Sequence, residues 1–127
     1  MRASRLIQER KNCFLILSEE AASKVECDYI FLSHAHADHF GDAIAIAEWT
    51  GAKVIAIPEV IGLFPKTVIN FQPMNLGGTF TAPFGKVKMV QAIHSCGVAG
   101  GIPCGFVLSF NDGLTLYFAG DTALFGD

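Results

Sequence analysis

The chain has 127 residues, which suits one ordinary domain. With 51% hydrophobic and only 17% charged residues, it requires a large buried core. A net charge of −3 gives no electrostatic footprint for nucleic acid, and no uninterrupted apolar run is long enough to cross a bilayer.

Residues Met1 to Asn12 are mildly basic through Arg2, Arg5, Arg10 and Lys11, and are expected to form a solvated leader. The apolar run Cys13 to Leu17 is too short for a signal-peptide core and reads instead as a short first strand. Cys13, Cys27, Cys96 and Cys104 show no C-x-x-C spacing. Without an export signal they are expected to be reduced thiols of a cytoplasmic chain, packed as small apolar residues. Cys96 and Cys104 flank a glycine-rich stretch near His94, which leaves open a contribution to that residue's surroundings. Ser18 to Lys24 is polar and rich in helix formers, with Ser18 placed to cap one turn.

A strand follows at Tyr29 to Leu32, and then the chain's character changes within one residue. Ser33 is succeeded by His34, His36, Asp38 and His39, with Asp42 just beyond, separated by small alanine spacers. Three of the four histidines fall inside six residues. Neutral imidazoles and carboxylates together suit zinc, with manganese or iron as alternatives. If the backbone stays extended, His34 and His36 share one face, because side chains alternate with a period of two. Asp38 and His39 then lie where the chain turns towards the next helix, within reach of a second ion. The plain alternative is a solvated polar loop. A fully apolar strand running into so many donors and so few Lys, Asn or Gln residues argues against it.

Asp42 is placed to cap a helix over Ala43 to Thr50, and Gly51 to terminate it. Lys53 to Ile57 is continuously apolar after its first residue, as in a parallel sheet covered on both faces. Pro58 opens a short helix to about Phe64, and Thr67 to Phe71 reads as another strand. After Pro73 the texture becomes strand and turn: Thr79 to Ala82, Lys86 to Ile93, Gly105 to Phe110 and Leu114 to Phe118. Pro83-Phe84-Gly85 and Asn111-Asp112-Gly113 mark turns, the latter a hairpin. Lys86 and Lys88 alternate with Val87 and Met89, so one face of this sheet is expected to see solvent.

Two of these later strands also end in donors. Lys86 to Ile93 leads into His94, and Leu114 to Ala119 leads into Gly120-Asp121-Thr122, where Gly120 lets backbone approach closely. Three strand ends are thereby expected at one rim of the fold. Gly97 to Gly101 is not a phosphate loop, since it lacks the G-K-[ST] ending and precedes no helix; it reads as a substrate-side loop or a plain turn.

H-A-H-A-D-H at His34 to His39, His94 after its strand, and G-D-T at Gly120 to Thr122 together resemble the metallo-β-lactamase superfamily. The continuation F-G-D-A, and later H-S-C, G-I-P-C-G-F-V-L and L-Y-F-A-G-D-T-A-L-F-G-D, look similar to its small bacterial metal-dependent hydrolases, themselves similar to ascorbate-phosphate lactonases. The resemblance covers about Val25 to the last residue. It implies an α/β (α+β) fold, a four-layer αββα sandwich of which this chain is roughly the N-terminal half. Residues 1–24 are then leader and a loosely matching first strand, and 25–127 a partial metallo-β-lactamase-like domain.

By the same resemblance His34, His36 and His94 hold a first metal, Asp38 and His39 a second, and Asp121 bridges both. Two divalent ions, zinc foremost, would present a metal-bound hydroxide to an ester, lactone or phosphoester-type bond, with Asp38 relaying a proton. The family continues past G-D-T to a last histidine ligand, and it carries an opening hairpin and an I-D-P segment that are not recognisable here. The chain therefore looks like a fragment, implying homo-oligomerisation or a missing C-terminal half. A small-molecule substrate is expected, with no nucleic acid or membrane partner. Two other readings stand beside the hydrolase: a truncated, non-catalytic metal-binding remnant, and an iron-dependent oxidoreductase on the same scaffold.

Overall fold

The computed structural model describes Leu6–Glu9, Asn12–Leu15 and residues 25–126. The turn expected at Ser18 to Lys24 lies outside the described residues.

Two sheets carry the fold. The first has the order β1 (Leu6–Glu9), β2 (Asn12–Leu15), β3 (Tyr29–Phe31), β4 (Lys53–Ala56), β5 (Phe71–Pro73). Its strands β2 to β5 run parallel, as expected from the apolar β4. Val54, Ile55 and Ala56 are each 0% exposed, so β4 is covered on both faces. Helical crossovers make this possible: α1 (Ala37–Phe40) and α2 (Ala43–Thr50) connect β3 to β4, and α3 (Pro58–Ile61) connects β4 to β5. Helix α2 buries Ala43, Ile46 and Ala47 and closes on Gly51 in the left-handed conformation.

The second sheet is an antiparallel meander of β6 (Thr79–Ala82), β7 (Gly85–Gln91), β8 (Cys104–Phe110) and β9 (Thr115–Phe118). Val87 and Met89 are fully buried while Lys86 and Lys88 are exposed, which places the inner and outer faces as the alternation predicts. At the Asn111-Asp112-Gly113 hairpin the Leu114 amide donates to Asp112 Oδ1 at 3.0 Å and Gly113 takes φ +94°. The two sheets meet through aromatic side chains. The Phe31 and Phe106 rings pack edge-to-face at 5.4 Å, and Tyr29 and Phe84 at 4.9 Å. Such pairs contribute about 1 kcal/mol each beyond area burial. The buried residues of both sheets form one core, and the architecture is the two-sheet half of an αββα sandwich with helices on the first sheet.

Four details differ from the sequence expectations. Leu6–Glu9, inside the stretch read as a solvated leader, forms β1 and pairs antiparallel with β2, so an opening pair of strands is present after all. Asp42 stands before α2 but its side chain makes no capping hydrogen bond. The strand expected at Thr67 to Phe71 begins only at Phe71. The Val68 amide is bound back to the Pro65 carbonyl at 3.1 Å in a turn, and the ladder starts where the Val54 amide donates to Asn70. Helix α3 ends at Ile61, and three-residue turns carry the chain on to Phe64. Among the described residues no helix is long and apolar enough to cross a membrane.

Candidate metal centre

The H-A-H-A-D-H segment leaves β3 and runs along the rim where the two sheets meet. Its backbone is fastened on both sides. The Leu32 amide donates to Ile55, the Ser33 carbonyl accepts from Cys104 at the start of β8, and the Ala35 amide donates to the Cys96 carbonyl at 2.7 Å. The loops after β7 and β9 are fastened to each other as well. The Ile93 amide donates to Thr122 Oγ1 at 2.8 Å, and the Ala123 amide to the Ile93 carbonyl at 3.0 Å. Three strand ends thus deliver their donors to one place.

His34, His36 and His94 converge as one group whose ligand atoms lie within 4.8 Å of one another, and His34, His39 and Asp121 form a second. Ring centroids are 4.6 Å apart for His34 and His36, 4.4 Å for His34 and His39, and 5.1 Å for His36 and His94. Asp121 Oδ2 faces three of the rings, at 3.1 Å from Nε2 of His39, 3.6 Å from Nε2 of His94 and 3.8 Å from Nε2 of His34. One carboxylate oxygen therefore stands beside both groups. Asp38 belongs to neither group; its side chain is largely exposed and 3.7 Å from His39 Nε2. Both residues sit on the single turn α1, where the His39 side chain is 20% exposed and that of Asp38 69%.

His34 is the buried centre of the arrangement. It is 0% exposed, and its Nε2 has no hydrogen-bond partner. A buried, unsatisfied nitrogen costs on the order of 1–3 kcal/mol, so a partner is called for. Burial above all, then the neighbouring His39 and His36, lowers its pKa to about 4 against the opposing pull of Asp121. The ring is therefore neutral near pH 7 and offers a lone pair, as metal ligation needs. Nitrogen-rich donors with one carboxylate fit a divalent transition ion, zinc included.

Cys96 and Cys104 lie outside both groups. Burial raises both thiols, Cys104 to about 12, and Cys104 Sγ points at the Ser33 carbonyl, 3.4 Å away. They pack as apolar groups. Three hydroxyl residues at the site were not singled out from the sequence: Ser33, Ser95 and Thr122. Each is the immediate neighbour of a donor, which is the signal that was there to be read. Gly97 proves to be a contact residue, because a Cβ there would lie 2.8 Å from His36 Cδ2.

Residues 14–127 match the family described as the beta-lactamase superfamily domain. A metal-dependent hydrolase of Natranaerobius thermophilus is 42% identical over 107 residues, covering 84% of this chain and 48% of its own length. One from Staphylococcus carnosus is 44% identical over 121 residues, covering 87% of this chain and 52% of its own. Both carry the designation UPF0173. Igni18, described as a metallo hydrolase from the archaeon Ignicoccus hospitalis, superposes with a TM-score of 0.79 at 30% identity, over 96% of this chain and 58% of that one. This chain spans about half the length of the curated relatives it matches. The rim of histidines, the two-sheet architecture and these likenesses agree: the chain belongs to the beta-lactamase superfamily domain family, with metal-dependent hydrolases among its relatives.

Proposed function

We propose that the chain supplies the metal-holding part of a hydrolase that cleaves an ester, lactone or phosphoester-type bond in a small molecule. The observation that carries this reading is the buried, unpartnered Nε2 of His34 at the meeting point of His36, His39, His94 and Asp121. His34, His36 and His94 would hold one ion, and His39 a second, with Asp121 shared between them. Zinc is the first expectation and manganese or iron the alternatives; when bound, such ions ionise water near neutral pH and act as Lewis acids. The chain's own contribution is to hold the donors rigidly on strand ends and keep the His34 side of the site dry. Asp38, largely exposed and 3.7 Å from His39 Nε2, would accept a proton and return it to a leaving group. A reducing, cytoplasmic setting fits the buried Cys96 and Cys104, neither of which is in a disulfide.

Metal analysis of the purified chain tests the reading. The wild type is expected to retain zinc or manganese through gel filtration, and the His34→Ala/His36→Ala double variant to lose it. Undiminished metal in that variant would remove the idea.

A further inference from the structure

Behind two of the donor histidines stand the hydroxyls of Ser33 and Ser95. Ser33 Oγ lies 2.9 Å from Nδ1 of His34, which leaves Nε2 as the nitrogen without a partner. Ser95 Oγ lies 3.1 Å from Nε2 of His36, which leaves Nδ1 of that ring available. An imidazole presents a lone pair on one nitrogen only when its proton is kept on the other, and the partner of that other nitrogen decides the matter.

The geometry points to Ser33 and Ser95 as positioning residues that set the ring orientation and tautomer of His34 and His36, so that the donor nitrogens face the centre before metal binds. This rests on reading the site as a metal centre. The backbone around each pair is built for close contact. Gly120, at φ +63°, packs on Ser33 so tightly that a Cβ would fall 2.8 Å from Ser33 Cβ and 3.0 Å from its Oγ. Ser33 is itself only 3% exposed, and its carbonyl is tied to the Cys104 amide at 3.0 Å. Its hydroxyl therefore has little freedom to leave the His34 ring. Gly97, at φ +80°, packs on the His36 ring in the same way, two residues beyond Ser95. The ordinary partners of ligand histidines are carboxylates, backbone carbonyls or water. In this chain a serine next to a donor in the sequence does the work at both rings.

Two readouts separate this from a general packing role. In the metal-free wild type at pH 7.5, nitrogen-15 NMR of the imidazoles is expected to show His34 as the Nδ1–H tautomer, donating to Ser33. In Ser33→Ala that tautomer is lost, and zinc affinity, measured by chelator competition, falls about ten- to a hundredfold. Ser95→Ala is expected to lower affinity by a similar factor, and Ser95→Thr to restore it. His34 found as Nε2–H in the wild type, or zinc affinities unchanged in both alanine variants, would overturn the assignment. Should Ser33→Ala fail to fold, the wild-type tautomer and the exposed Ser95 pair still decide. A wild type that binds no zinc at all would count against the metal centre instead, while the metal-free spectrum still reports on Ser33.

Discussion

His34 shows how one residue can be costly for the fold and useful for the site. Its folded pKa of about 4 lies below the ordinary histidine value of about 6.5, chiefly through burial. As pH falls through that window, the unfolded chain binds a proton that the folded chain refuses, so acid favours unfolding. Stability is fully present above about pH 6.5 and declines towards pH 4, by on the order of 3 kcal/mol for the whole shift. Thermal melts of the metal-free chain between pH 7.5 and 4.5 should therefore show a falling midpoint. His34→Gln, which cannot titrate, should show a shallower slope even if its absolute midpoint is lower. An identical slope would mean that His34 is not the group responsible.

At the scale of elements, the site is a meeting of loops rather than a property of any one segment. The single turn α1 supplies His39, while β7 and β9 deliver His94 and Asp121 from the other sheet. His39→Ala is accordingly expected to leave the His34, His36 and His94 group intact and to weaken only the second. Calorimetric titration with zinc should show the first binding event preserved and the later one lost or weakened by tenfold or more. Loss of both events would show that the two groups are not separable. Much of this was legible in the sequence, since strand-to-donor transitions at His34, His94 and Asp121 are local patterns. The span of α2 and its Gly51 stop were legible for the same reason, as was the Lys86 to Met89 alternation. Strand β1 was not, because four residues among basic neighbours carry no periodicity and become a strand only by pairing with β2. The closeness of Gly97 to His36 and of Gly120 to Ser33 also depends on tertiary placement, although glycine at both positions hinted at it.

Considered as a whole molecule, the chain leaves the outer face of its second sheet without a covering layer among the described residues. The first sheet carries α2 and α3, whereas beyond β7 to β9 lies an open groove of about 620 Å³, lined by Leu76, Val90, Val107, Tyr117 and Phe125 with Lys88. Tyr117 is 53% exposed there, and Leu76 is 38% exposed. Contiguous apolar surface of this kind drives association in water, because burying it against a second surface stabilises by about 25 cal/mol per Å². The chain is therefore expected to self-associate through this face, in a manner that strengthens with concentration and weakens on introducing charge. Sedimentation velocity over a hundredfold concentration range should show growth of dimers or larger species in the wild type. The Val107→Lys/Tyr117→Lys variant should remain closer to monomeric, since its two new ammonium groups would have to be desolvated on contact. The donor histidines lie on loops at the sheet rim rather than on this face, so zinc binding by the variant should persist. A wild type that stays monomeric and monodisperse throughout, with a cooperative melt, would show that the exposed side chains of β7 to β9 are tolerated in water as they stand.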